Sequence, residues 1–204
     1  MMPAGRHSLA DEVFTALIDQ RVMAEHFPML LAGGIPDVGV TVHSHFLTVL
    51  AGVGQSMHYA AVAECPIWWA REDGVGDVRA DSVWFDKAPL CPRLAFEFER
   101  FERGDESKLR GKLENLSIAS NSTEDLRLCV LVYWVRSGSA ARSMDAIVAS
   151  YRDGFRRNGK TVAPARTPLM LVKCVMREVA GTDRLVFGEF LRDERNERLA
   201  LGRA

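Results

Sequence analysis

The sequence predicts an α/β domain built on a mixed central sheet flanked by helices, and three observations carry that prediction. Apolar residues recur at helical spacing near the start, and the middle of the chain breaks into short runs with strand-like alternation. The third is a nearly continuous apolar run, LRLCVLVYWV at 126–135, short enough for a strand covered on both faces. The composition agrees: 204 residues, 48% hydrophobic and 26% charged, suit one globular domain with a full core.

The elements follow in order. Ser8 with Asp11 three positions on is a capping-box-like start, and Val13, Leu17, Ile18 and Val22 then predict one amphipathic helix over 9–26. Gly33-Gly34-Ile35-Pro36-Asp37 breaks the chain. The pattern resumes at His43 and runs through Leu47, Leu50, Val53, Met57 and Ala61, predicting a helix that ends at Glu64, before Pro66. Strands are predicted over 78–85 and 93–101, then a helix over 107–119 on the face of Leu109, Leu113, Leu116 and Ile118. After the 126–135 strand come a helix over 143–155, strands over 169–177 and 185–190, and a charged terminal segment or short surface helix. One domain is expected: an N-terminal helical segment (1–36), a core (41–135) and a C-terminal helix and strands completing the sheet (136–204).

Twenty-six basic against 27 acidic residues leave a net charge of −1, which gives no bulk attraction for duplex nucleic acid or an anionic membrane. The most apolar stretch, 46–63, is interrupted by Gln55, Ser56 and His58, short of the ~20 apolar residues a membrane span needs. Cys65, Cys91, Cys129 and Cys174 stand singly and no signal-peptide pattern opens the chain, so four reduced thiols in a cytoplasmic protein are expected.

The acidic residues are the unusual feature. In Leu94-Ala95-Phe96-Glu97-Phe98-Glu99, alternation puts Glu97 and Glu99 on one face and Phe96 and Phe98 on the other. Carboxylates ~7 Å apart on one strand repel unless a divalent cation, or a Lys or Arg, sits between them. Asp81 opens the preceding strand, Glu64 precedes it, and the following helix carries Lys108 and Lys112 at i and i+4. Such a set suits Mg²⁺ or Mn²⁺ held by oxygen ligands, with an ammonium left for a phosphate.

This order of residues resembles the PD-(D/E)xK nuclease superfamily, the restriction-endonuclease-like fold, whose core runs helix, three antiparallel strands, helix, strand. The resemblance covers MHYAAVAECP, RADSVWFD, RLAFEFERFE, SKLRGKLENL and LRLCVLVYWV. It matches Glu64 to the first-helix acid, Asp81 to the acid of the PD strand and Glu97 to the (D/E) of the next strand. Glu99 stands where the family has lysine, and Ala80 where it has proline. Some members carry the lysine on the next helix, a place Lys108 or Lys112 would fill. The resemblance implies hydrolysis of phosphodiesters in nucleic acid, DNA ahead of RNA, with Asp81, Glu97 and Glu64, and the Phe98 carbonyl, as metal ligands. Lys112 or Lys108 would neutralise phosphate charge, and Glu64 and Glu99 would bind a second metal or orient water. A homodimer, as many nucleases of this fold form, would reach both strands.

Other readings stay open at this level. The acids could form a solvated strand edge, and the two lysines an exposed helix face paired with Glu114 or Asp105. The same fold with a lapsed site could bind nucleic acid or a protein without cleaving, or the acids could serve a small-molecule enzyme as general acid and base. His43 and His45, two apart on a helix, point to different sides and are left out of the site. Gly52-Val53-Gly54 lacks the surroundings of a phosphate loop and reads as close helix packing. Trp68-Trp69 could stack on a base, and Arg152, Arg156, Arg157, Lys160 and Arg166 form a local positive stretch able to meet a phosphate backbone.

Overall fold

A computed structural model describes residues 8–67, 77–136 and 143–200. The Trp68-Trp69 pair lies outside them.

Ser8 caps α1 (Leu9–Leu17) with the full reciprocal box to Asp11. The expected single helix over 9–26 is two, because the Asp19 side chain accepts from the Arg21 amide and starts α2 (Gln20–His26) afresh. A short π-helical turn (Met29–Gly33) leads to β1 (Ile35–Pro36) and α3 (Thr41–Ser56). The helix expected to reach Glu64 stops eight residues earlier: Ser56 ends it, and His58 then adopts a left-handed φ of 68° that no helix continues through. Ala60–Pro66 is therefore a strand, β2, and Glu64 sits on it. Pro66 is accommodated because β2 is an edge strand.

Then follow β3 (Arg79–Phe85), β4 (Pro92–Arg100), α4 (Glu106–Ser122), β5 (Leu128–Arg136), α5 (Met144–Asp153), the hairpin β6 (Phe155–Arg157) and β7 (Lys160–Val162), β8 (Leu169–Glu178), β9 (Arg184–Arg192) and α6 (Glu194–Ala200). The seven-stranded sheet has the order β1-β9-β8-β5-β4-β3-β2. β4, β5 and β8 run parallel in its centre, and antiparallel strands complete it on both sides. β5 is buried from Leu128 to Val135, as a strand covered on both faces must be.

Two cores flank the sheet. One joins Phe96, Phe98, Val130 and Val132 to α1, α2 and α3; the other joins Ala95, Leu131 and Leu171 to α4 and α5. Gly54 lets α3 press on the sheet: a Cβ there would lie 2.8 Å from both Ala61 and Trp84, so close packing accounts for it. All four cysteines are free, and burial pushes the Cys65 thiol up to about 11, which suits packing and not nucleophilic work. No helix among the described residues is long and apolar enough to cross a membrane.

Candidate metal centre and acid row

The register of three antiparallel strands assembles the site. Ala63 pairs with Ser82 and Cys65 with Ala80, so Glu64 stands opposite Asp81. Ser82 pairs with Phe96, so the next position sets Asp81 opposite Glu97. Glu64, Asp81 and Glu97 thus form one row across β2, β3 and β4, although like charges directly opposite are destabilising. The backbone yields at this row. Glu64 takes a left-handed φ of 49°, and the β3–β4 ladder ends at Ser82. Beyond it the Asp81 carboxylate, not a backbone carbonyl, accepts the Phe98 amide at 2.6 Å.

α4 supplies the counter-charge. Its Leu109, Leu113 and Leu116 face is buried, which carries Lys112 and Asn115 along the flank over the row. Lys112 Nζ donates to Asp81 Oδ1 and Oδ2 at 3.0 and 2.9 Å and lies 2.7 Å from Glu97 Oε2. Glu97 is fully buried, and the Lys112 ammonium is what meets its Oε2. Asn115 donates to Glu97 Oε1 at 3.1 Å and accepts from Arg157 on β6 at 2.8 Å.

Burial, then the neighbouring Asp81 charge, push the Glu97 carboxyl well above the usual carboxylate range, with Lys112 opposing. Burial works against the Lys112 charge, but Glu97 and Asp81 outweigh it and hold its pKa above the ordinary lysine value. With both acids ionised the trio carries one positive and two negative charges. That deficit adds to burial, the larger cause, in keeping Glu97 from ionising.

His43 enters from α3, on the other face of the sheet, with its ring against Phe98. Its Nε2 lies 3.5 Å from Glu64 Oε1 and 3.7 Å from Asp81 Oδ1. One ligand atom from each of His43, Glu64 and Asp81 lies within 4.8 Å of the others, a spacing that could hold a metal ion. Among the described residues this is the cluster with that geometry. It differs from the expected set of Asp81, Glu97 and Glu64, because Lys112 occupies the flank between Asp81 and Glu97 and His43 takes the remaining place.

The other expected residues separate. Glu99 shares a face with Glu97, but its carboxylate accepts from the Arg100 amide beside it. Lys108, one turn before Lys112, pairs with Asp105 at 2.8 Å on the surface and does not join the row. Two members escaped the sequence reading. Asn115 follows Lys112 by three on one helix face, a signal that is present in the sequence; His43, a metal-ligand type set aside with His45 on spacing, has partners on distant strands. Comparison with known protein families, with curated proteins and with solved structures gives no match.

Proposed function

We propose that this chain is a metal-dependent nuclease that hydrolyses phosphodiester bonds in nucleic acid, DNA ahead of RNA, on a restriction-endonuclease-like core formed by α3, β2, β3, β4, α4 and β5. The observation that carries this reading is the row of three acids, two of which, Asp81 and Glu97, share one lysine. A purely structural sheet has no use for two cross-strand carboxylate pairs at which the ladder gives way.

His43, Glu64 and Asp81 would hold the divalent ion, and two acids sharing the single Lys112 ammonium beside them fit a site able to receive further positive charge. An imidazole among the donors suits Mn²⁺ better than Mg²⁺, which prefers oxygen alone. The ion would supply Lewis-acid polarisation of the scissile phosphate and a lowered pKa for a bound water. Lys112 keeps an ammonium where phosphate charge builds, and Asp81 holds that ammonium in place through both oxygens. Glu97, whose raised pKa favours the protonated carboxyl, is the group able to hold a proton beside the phosphate and exchange it.

One observation favours a second reading. Lys112 already sits between Asp81 and Glu97, as it would in a lapsed nuclease-fold module that binds nucleic acid or a protein without cleaving it. Labelled single- and double-stranded DNA and RNA, incubated with Mg²⁺ or Mn²⁺, separate the two. The nuclease reading expects cleavage by the wild type, faster with Mn²⁺, and its loss in Glu97→Ala and His43→Ala. No wild-type cleavage, or equal cleavage by all three proteins, overturns it in favour of the binding module.

A further inference from the structure

A chain of hydrogen bonds leads from the β6–β7 hairpin into the acid row. Arg157 Nη1 on β6 donates to Asn115 Oδ1 on α4 at 2.8 Å, and Asn115 Nδ2 donates to Glu97 Oε1 on β4 at 3.1 Å. Arg157 and Asn115 are half-buried and Glu97 fully buried, so the chain runs inward from the hairpin to the row. Neighbouring arginines are engaged elsewhere. Arg152 pairs with Asp145 and Asp153 at 2.8 Å each, and Arg156 donates to the Gly159 carbonyl of its own turn.

The chemistry of the three groups fixes the direction of the amide between them. A guanidinium only donates, so its bond claims the Asn115 oxygen and leaves the NH₂ end for Glu97. Without the guanidinium, Asn115 could meet Glu97 with either end, and the carboxyl would lose a fixed donor. Lys112 does not replace that donor, because it is divided between Asp81 and Glu97. Nor can α4 shift to compensate: Leu113 and Leu116 on either side of Asn115 are buried in the core, which leaves the amide free to turn only about its own side-chain bonds.

From this geometry we infer that Arg157 is a positioning residue of the acid row: by holding the Asn115 oxygen it keeps the Asn115 NH₂ on Glu97, and so fixes the Glu97 carboxyl beside Lys112. The inference rests on the nuclease reading for its effect on catalysis, and it adds a residue that none of the three strands of the row carries.

The test is a double-mutant cycle in the full chain. Cleavage of a fluorescein-labelled DNA duplex with Mn²⁺ is followed for the wild type, Arg157→Met, Asn115→Ala and the double variant, with Arg157→Lys as the change that keeps a donor. The expected result is a kcat about tenfold lower in Arg157→Met with KM unchanged, most of the rate kept in Arg157→Lys, and no further loss from Arg157→Met once Asn115 is replaced. A rise in KM, or an equal loss in both backgrounds, overturns the assignment, since a direct contact of Arg157 with substrate would act that way. The same proteins, isotope-labelled at asparagine nitrogen and held in EDTA, report on the amide by NMR without any cleavage. The Asn115 NH₂ signal, identified by its loss in Asn115→Ala, should move in Arg157→Met and hold its place in Arg157→Lys. An unmoved signal in Arg157→Met overturns the assignment and leaves the nuclease reading to stand on the cleavage of the wild type. A signal that moves, in a protein whose wild type cleaves nothing, keeps the hold of Arg157 on Asn115 and removes the nuclease reading.

Discussion

Two buried carboxylates, Glu97 and Glu197, sit beside a cation on the same face of the sheet, and they are treated in opposite ways. Glu197 is saturated. Its Oε1 accepts from the Leu171 amide at 2.9 Å and from Arg192 Nε at 3.0 Å, and its Oε2 accepts from Arg192 Nη2 at 2.9 Å. Arg192 is in turn braced by Asp11. Glu97 accepts from Asn115 at Oε1 and is met by Lys112 at Oε2, but a second carboxylate, Asp81, competes for that one lysine. Glu197 has a guanidinium on both oxygens and an amide besides, whereas Glu97 shares one ammonium with a second acid, the kind of arrangement that shifts a pKa.

The sharpest way to break this comparison is to remove each acid. Glu97→Ala should lower cleavage by about 10³-fold, roughly 4 kcal/mol of barrier, measured as initial rate per folded molecule. Glu197→Ala should spare that rate and cost about 3–5 kcal/mol in urea unfolding, since it strands a half-buried guanidinium and an amide of β8. If instead Glu197→Ala silences cleavage while Glu97→Ala only destabilises, the roles assigned to the two acids are exchanged.

Lys112→Met should cost about 3 kcal/mol at neutral pH by leaving Asp81 and Glu97 facing each other, and acid should restore much of it. A subtler consequence concerns the wild type. Because the folded state raises the Glu97 pKa, the native protein binds this proton more tightly than the unfolded chain does. The resulting stability is complete below the ordinary carboxylate pKa of 4.5 and is lost progressively as pH rises above it. Urea midpoints between about pH 5 and pH 8 should fall with pH in the wild type and fall less in Glu97→Gln. The smallest effect belongs to the saturated cluster: Ser8→Ala removes the cap that also orders Asp11 against Arg192, at about 1 kcal/mol in the same titration.

Legibility in the sequence followed periodicity. The alternation of Phe96-Glu97-Phe98 placed Glu97 on the α4 face, and the Leu109, Leu113, Leu116 spacing placed Lys112 over it, because both patterns are local. The strand carrying Glu64 was not legible, since Ala60-Ala61-Val62-Ala63 suits a helix and the stop is a left-handed His58 with no glycine or proline to announce it. Asp19 did announce the second helix, through a cap that resembles any exposed aspartate. The spacing of His43 and His45 says only that the two point to different sides of a helix, a statement about neighbours in sequence. The actual partners of His43, Glu64 and Asp81, are joined to it by the sheet.

The turned-out backbone at Glu64 also bears on self-association. β2 ends the sheet, and an open outer strand ordinarily invites another chain to add to it. Here the strand is interrupted by a left-handed residue and closed by Pro66, which offers no amide, while β1 at the far end is only two residues long. Among the described residues, neither rim of the seven-stranded sheet presents a long straight run of donors and acceptors. Edge-to-edge addition of a second copy is therefore disfavoured at the rim nearest the acid row.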